Sequence, residues 1–289
     1  MAEGAPARRN LKLTVAYDGG EYHGFQRQPG RVGPTIQGML ERRLKEITGE
    51  SVALRAAGRT DAGVHALGQV VNFKTTSRIP LESWAAAMNA GLPRDIRVVA
   101  AEEAAESFHA RYDAKGKVYR YLIQTGPVPA VLWRRYAYYV PHRLEVAAMR
   151  EGAAYLVGRH DFRSFQAAGA KVKTTVRTLS RLEVAASPLG LGDLVPAGAG
   201  GAEGGRQADG GRPGAEGGRA QVPQELIALT LEADGFLYNM VRIITGLLVD
   251  VGLGRRPPEE VDRVLRARER GEAALTAPPH GLCLVQVKY

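Results

Sequence analysis

The chain has 289 residues, of which 45% are hydrophobic and 24% are charged, the composition of a globular protein with one large domain or two fused subdomains. Its 39 Lys and Arg against 30 Asp and Glu give a formal net charge of +9, which fits a polyanionic partner and fits equally a basic protein kept soluble by its charge. Cys283 is the only cysteine, so the sequence excludes a disulfide framework and a thiolate zinc cluster, and it favours a reducing cytoplasm.

The first part of the chain predicts a mixture of strands and helices. Residues 1–10 are polar, lack the apolar core of a signal peptide, and are expected to form a flexible tail. Apolar and polar residues alternate from Leu11 to Tyr17, which predicts a half-buried strand. Thr35 can cap a helix that ends at Gly49. Further strands are predicted at 52–57, 69–73, 96–101 and 117–124, and a second helix begins at Pro80.

The second part of the chain also predicts a mixture of strands and helices. Helices are predicted around 146–156, at 239–251 and at 258–268, and strands at 176–184, 226–233 and 282–287. Because no strict βαβ order appears, we predict an α+β fold with sheet strands from both halves. We place an N-terminal α+β subdomain at 11–105, which carries the aspartate loop described below, and a C-terminal α+β subdomain at 106–289.

One segment of the C-terminal subdomain differs from the rest of the chain. Between residues 187 and 222, 12 of 36 residues are glycine and no apolar period is visible. Such a segment cannot bury enough apolar surface to offset its loss of conformational entropy, so we expect a flexible surface insertion.

No apolar run in the chain approaches the roughly 18 residues that a membrane span needs, and we expect a cytoplasmic protein.

The most informative stretch is a polar loop between two apolar strands. Gly58 and Gly63 bracket it, and glycines allow another backbone or a ligand to come close. Arg59 stands two residues before Asp61, a pair that suits a site for a phosphate-bearing substrate. The alternative is a simple turn in which Asp61 bonds its own backbone and Arg59 is solvated, and the residue types alone favour that alternative.

Residues 58–66, GRTDAGVHA, resemble the signature of the tRNA pseudouridine synthase A family, which isomerises uridines 38, 39 and 40 of the tRNA anticodon arm. Similar motifs follow the family order at 17–19, 22–28, 35–41, 92–96, 107–112, 117–121, 160–165, 235–242 and 277–282. Phe25 stands where the family usually has tryptophan. The resemblance covers nearly the whole chain apart from the N-terminal tail and the glycine-rich insertion.

The resemblance implies two ferredoxin-like subdomains with a mixed, mostly antiparallel sheet and an RNA-binding cleft between them. It also implies a homodimer that grips tRNA across both subunits. Conversion of uridine to pseudouridine involves no redox change, so we expect no cofactor, and the sequence contains no metal-ligand cluster. The target nucleotide has to leave the stack before it can react, at a cost of about a few kcal/mol.

The resemblance also assigns roles to five residues. Asp61 is the nucleophile, and its attack at ribose C1′ or at uracil C6 stays open. Arg242 is expected to pair with Asp61, and an opposite charge this near can lower a carboxyl pKa by about 1–3 units. Tyr119 is expected to stack on the uracil and to act as an acid or base, or else to be a core residue of its strand. Leu282 covers the other face of the base, and Arg59 fills the space that the flipped nucleotide leaves.

Other residues allow more than one interpretation. His65 is expected to have a structural or RNA-contacting role, and Tyr22 and Phe25 are either core residues or an RNA platform. Candidate RNA contacts are Arg27, Arg31, Arg111, Lys115, Lys117, Lys171 and Lys173. Two other classes of function stay open, a non-catalytic tRNA-binding protein on the same scaffold and a nucleoside or base hydrolase, which also cleaves a glycosidic bond.

Overall fold

The fold is α+β, as predicted, with a mixed and mostly antiparallel 10-stranded sheet. The structure, a computed structural model, describes residues 8–27, 33–169, 172–189 and 224–289. The predicted N-terminal tail therefore lies outside the described residues up to residue 7. Its last two residues, Arg9 and Asn10, belong to the first strand, because they pair with Thr75 and Lys74.

The N-terminal half supplies four strands and two helices. They are β1 (Arg9–Tyr17), α1 (Ile36–Thr48), β2 (Arg55–Ala56), β3 (His65–Thr75), α2 (Trp84–Asn89) and β4 (Ile96–Ala104). The predicted ends of α1 are confirmed: the Thr35 side chain accepts a hydrogen bond from Gly38 N, and Gly49 closes the helix with a φ of 74°. The predicted strand at 52–57 is shorter in the structure, where only the two residues of β2 pair with β3.

The C-terminal half supplies the remaining elements. They are β5 (Gly116–Thr125), β6 (Tyr138–Val140), α3 (Val146–Ala154), β7 (Gly158–Asp161), β8 (Val176–Pro188), β9 (Glu225–Ala233), α4 (Met240–Gly252), α5 (Glu260–Ala267) and β10 (Leu282–Lys288). The short strands β6 and β7 were not predicted. The glycine-rich insertion lies outside the described residues from 190 onward, and residues 187–188 belong to β8, where they pair with β9.

The sheet joins the two halves through its last strand. Its order is β4-β1-β3-β10-β5-β9-β8-β7, with β2 on β3 and β6 on β5. Strand β10 runs parallel to β3 and antiparallel to β5, so the end of the chain lies between strands that come from the two halves. This position brings the loop before β3, the start of β10 and the middle of β5 to one region of the molecule.

A large hydrophobic core with residues from both halves supports this arrangement, and a small separate cluster contains Trp133, Ala137 and Leu226. Strand β1 buries Leu11, Leu13 and Val15 completely, as the alternation in its sequence requires. Helix α4 is apolar around most of its circumference and is accordingly enclosed, with ten buried residues that include Ile243 and Leu247. Within the described parts of the chain, no helix has the length and apolar character needed to cross a bilayer.

Candidate active site

The loop at residues 57–64, between β2 and β3, carries the predicted nucleophile and is called the Asp61 loop below. Four hydrogen bonds hold it in place, and in the first of them the Ala57 N–H donates to the Val70 carbonyl at 2.8 Å. The Thr60 hydroxyl bonds the Tyr17 hydroxyl at 2.7 Å, and the Phe25 N–H donates to the Thr60 carbonyl at 3.0 Å. The Gln69 side-chain amide donates to the Gly58 carbonyl at 2.9 Å. The loop conformation is thus fixed by buried groups of β1, of β3 and of the segment between β1 and α1.

Two other segments press against the Asp61 loop. Gly24 has a φ of +88°, and a Cβ at this position would lie 2.9 Å from the Thr60 carbonyl oxygen. Gly63 has a φ of +78°, and a Cβ there would lie 3.0 Å from Pro279 Cγ, just before β10. Both positions need glycine for conformation and for space. The loop is therefore clamped between an N-terminal and a C-terminal segment of the chain.

Asp61 is partly buried, with 32% of its side chain exposed, and its carboxylate Oδ2 lies 3.7 Å from Arg242 Nη1. Its backbone carbonyl accepts a turn hydrogen bond from Val64 N. The carboxylate itself accepts no hydrogen bond from any described residue, so the simple turn in which Asp61 bonds its own backbone is not what forms. The predicted proximity of Asp61 and Arg242 is thus present in the structure, although the two residues belong to different halves.

Two opposing effects, burial and the charge of Arg242, determine the pKa of the Asp61 carboxyl. Burial raises the pKa of the Asp61 carboxyl above that of an ordinary aspartate, and the Arg242 guanidinium only partly offsets this effect. The lowering effect expected of Arg242 is thus present but smaller than the effect of burial. Because the carboxylate loses water and gains no hydrogen-bond donor, desolvation exceeds the attraction of one cation at 3.7 Å.

Arg242 is fixed at the start of α4 by contacts other than Asp61. Its Nε donates to the Ala277 carbonyl at 2.7 Å, and its Nη1 donates to the Asn239 side chain at 3.0 Å. Asn239 is one of two non-glycine residues with positive φ within the described segments, at 60°. The left-handed turn at Asn239, a residue to which the sequence analysis gave no role, thus presents its amide oxygen to the guanidinium.

Tyr119 lies in β5 and is 8% exposed, so it is a core residue, but its hydroxyl has no hydrogen-bond partner among the described residues. Its ring meets Phe236 edge-on, with centroids 5.0 Å apart. Burial raises the pKa of the Tyr119 hydroxyl above its ordinary value, and nearby Tyr17 and Asp61 add to the effect. The two interpretations of Tyr119 are therefore compatible: a buried ring carries an unpaired hydroxyl near Asp61.

Leu282 and Arg59 occupy different surroundings. Leu282 is buried at the start of β10 and lies opposite Tyr121, whereas Leu284 lies opposite Tyr119. Leu282 is thus a diagonal neighbour of Tyr119 on the same face of the sheet. Arg59 is exposed on the Asp61 loop and forms no ion pair or hydrogen bond with the described residues, which leaves its guanidinium available to a ligand.

His65 and two aromatic residues have structural contacts. His65 is buried, its Nδ1 lies 3.0 Å from an Asp18 carboxylate oxygen, and its Nε2 lies 3.0 Å from the Arg135 carbonyl oxygen. Tyr22 and Phe25 are both buried, which makes them core residues and not an RNA platform. Phe25, in place of the usual tryptophan, packs against the Tyr17 ring at 6.2 Å between centroids.

Comparison with known proteins agrees with this geometry. The family model described as tRNA pseudouridine synthase matches residues 13–113 and 153–289. The chain is 44% identical over 280 residues to tRNA pseudouridine synthase A of Moorella thermoacetica, with 96% of this chain and 99% of that protein covered. It is 41% identical over 281 residues to tRNA pseudouridine synthase A 2 of Clostridium perfringens and also 41% identical to tRNA pseudouridine synthase A of Brevibacillus brevis, in both cases with 97% of this chain and 100% of the relative covered.

These matches identify the class of the protein as an RNA-modifying isomerase. The chain belongs to the tRNA pseudouridine synthase family. The resemblance that the sequence motifs indicated is thereby confirmed. Within the described residues, no three His, Cys, Asp or Glu side chains are grouped as a metal site would require.

Proposed function

We propose that this protein converts uridine to pseudouridine at positions 38, 39 and 40 in the anticodon arm of tRNA, with Asp61 as the nucleophile. The observation that carries the proposal is the Asp61–Arg242 pair. A carboxylate that is still 32% exposed lies 3.7 Å from a guanidinium that hydrogen bonds to the Ala277 carbonyl and to the Asn239 side chain hold in position. The family, the basic charge of +9 and the motif resemblance support the same conclusion.

The proposed reaction breaks the bond between ribose C1′ and uracil N1 and forms a bond between C1′ and C5. The proton on C5 is lost and N1 gains one, so atoms and charge balance without an oxidant or a reductant. Asp61 has to be ionised to attack at C1′ or at C6. Arg242 favours that ionised form, which burial alone would disfavour. Enclosure of the base by the buried Leu282 and Tyr119 keeps water from the cleaved intermediate.

The flipped uridine is held by residues on both sides. We propose that the Tyr119 ring stacks on the uracil and that Leu282, diagonal to it on β10, covers the other face. Arg59, exposed and unpaired among the described residues, occupies the space that the base leaves in the RNA. A tyrosine hydroxyl is neutral at physiological pH, and burial of Tyr119 raises its pKa further, so the hydroxyl serves first as a hydrogen-bond donor.

Replacing Tyr119 with phenylalanine tests the role of the hydroxyl. Release of tritium from uridine C5 is expected to slow by about 100-fold, the low end for general acid–base groups. The melting temperature is expected to stay unchanged, because the hydroxyl has no partner among the described residues. The matched control is Tyr121→Phe, which removes a 2.7 Å hydrogen bond to the Pro278 carbonyl and should lower stability by about 1 kcal/mol. A Tyr119→Phe enzyme within threefold of wild type would contradict a chemical role.

The target positions can be tested with tRNA transcripts that carry a single anticodon-arm uridine at 38, 39 or 40. We expect pseudouridine at each of the three positions, detected by carbodiimide labelling and primer extension, and none in a transcript without them. Modification elsewhere in the tRNA would contradict the positions and leave the family activity intact. Release of free uracil would favour a hydrolase, and binding without reaction would favour a tRNA-binding protein.

The proposal also includes the organisation of the protein. We propose a cytoplasmic homodimer whose subunits together grip the tRNA, with subdomains at 11–105 and 106–289 and an RNA-binding cleft between them. The family resemblance supports these features. The boundary between the subdomains falls between β4 and β5, where the chain leaves the first group of strands. The reaction as written needs no small-molecule cofactor.

A further inference from the structure

Lys117 is a half-buried cation that lies against the Asp61 loop. It is in β5, two residues before Tyr119, so the two side chains project from the same face of the sheet. A Cβ at Gly58 would lie only 2.9 Å from Lys117 Nζ and 3.4 Å from its Cε. The lysine therefore lies across the first residue of the GRTD run, and three residues span at most about 11 Å from there to Asp61.

The charges around Lys117 have the same sign as its own. Burial, followed by the nearby Arg111 and Arg177, lowers the pKa of Lys117 to about 8. No described carboxylate lies within 4.0 Å of its ammonium group. Two acidic residues near these arginines in the sequence have other partners. Asp113 accepts the backbone N–H of His109, and Asp234 accepts that of Thr178.

Other lysines in the described strands, unlike Lys117, pair with a carboxylate. Lys12 pairs with Glu102 and Lys74 pairs with Glu106, each at 3.4 Å, and Lys288 pairs with Glu232. A buried ammonium without a counter-ion destabilises the folded protein, and such groups are concentrated at functional sites. The missing negative charge at Lys117 is accounted for if it arrives with the substrate.

We propose that Lys117, flanked by Arg111 and Arg177, binds a backbone phosphate of the tRNA next to the flipped uridine. This inference rests on the proposed function, because the position of the uridine is defined by Asp61 and Tyr119. Phosphate is the one anion that every RNA substrate presents beside its base, and a point charge on a flexible stem suits it. Gly58 leaves the space in which the lysine reaches the loop.

The test compares Lys117→Met and Lys117→Arg with Lys74→Met, a control in which a lysine paired with a carboxylate is replaced. For Lys117→Met we expect KM for tRNA to rise about 10-fold with kcat within twofold, and Lys117→Arg to restore most of the loss. The slope of log Kd against log salt should fall by about 0.7–0.9, the value for one phosphate. The melting temperature of Lys117→Met should equal or exceed that of wild type, because a half-buried charge without a counter-ion is removed.

A second measurement changes the RNA and compares wild type with Lys117→Met. Full-length tRNA with a single methylphosphonate on either side of the target uridine should bind wild type about 10-fold more weakly at one of the two positions. The same methylphosphonate substitution should not weaken binding to Lys117→Met any further.

An unchanged KM and salt slope in folded Lys117→Met overturns the proposal. A clear loss of thermal stability in both Lys117→Met and Lys117→Gln overturns it in favour of a structural role. A wild type that binds tRNA but releases no tritium overturns the proposed function alone, and the salt slope still tests Lys117.

Discussion

Asp61→Asn is expected to abolish tritium release from tRNA labelled at uridine C5, with a loss of about 10⁴-fold or more, while tRNA binding persists. Asparagine has the shape of aspartate but cannot act as the nucleophile. Binding is expected to survive because the described contacts of the Asp61 side chain are confined to Arg242, and because the backbone of the Asp61 loop is held by Tyr17, Phe25 and Gln69. The folded protein should be at least as stable as wild type, since burial disfavours the charge that is removed.

The matched control for this experiment is Asp250→Asn. Asp250 lies near the far end of α4, is 23% exposed and pairs with Arg255 at 3.2 Å, so it resembles Asp61 in burial and in its partner. Its replacement should leave tritium release within about twofold of wild type. Release by Asp61→Asn within tenfold of wild type would rule out Asp61 as the nucleophile. If wild type and Asp61→Asn both bind tRNA and neither releases tritium, the chain is an RNA-binding relative of the family.

Much of the fold could be predicted because its signals are local. The alternation from Leu11 to Tyr17 predicts β1, and Thr35 and Gly49 predict both ends of α1, because side-chain capping and left-handed φ are properties of single residues. The location of β10 between β3 and β5 could not be predicted in this way. It depends on pairing between strands from opposite ends of the chain, and no periodicity records which strand a given strand will pair with.

In the candidate site, too, local features could be predicted, whereas contacts between distant parts of the chain could not be predicted from the residues themselves. The composition of the loop at Gly58–Gly63 could be seen in the sequence, but by itself it favoured an ordinary turn. The proximity of Asp61 to Arg242 came only from the family resemblance, since the two residues meet through the sheet topology. Arg242 lowers the pKa of Asp61 as predicted, but the net rise could not be predicted, because burial is a property of the folded surroundings and not of the residue pair. The role of Asn239 was missed for a similar reason: its positive φ is visible only in the structure.

Arg242→Gln is expected to lower turnover at neutral pH and to move the acid limb of the rate profile to higher pH. Burial already raises the pKa of Asp61, and Arg242 is the group that opposes the shift, so its removal raises that pKa further. The ionised, reactive form is then lost at a higher pH than in wild type. We expect a displacement of about 1 pH unit, the low end for an opposite charge, because the carboxylate is 32% exposed and the two charges are 3.7 Å apart. Single-turnover rates between about pH 5 and pH 9 measure it.

Arg242→Lys separates charge from position in the same experiment. Lysine keeps a cation near Asp61 but cannot make both hydrogen bonds, to the Ala277 carbonyl and to Asn239, in the geometry of the planar guanidinium. If electrostatics dominates, Arg242→Lys keeps the acid limb of wild type even where its maximal rate is lower. A rate loss in Arg242→Gln with no displacement of the limb would show that Arg242 acts by holding the segment at Ala277 in place. Equal losses in turnover and in tRNA affinity would make Arg242 an ordinary RNA contact.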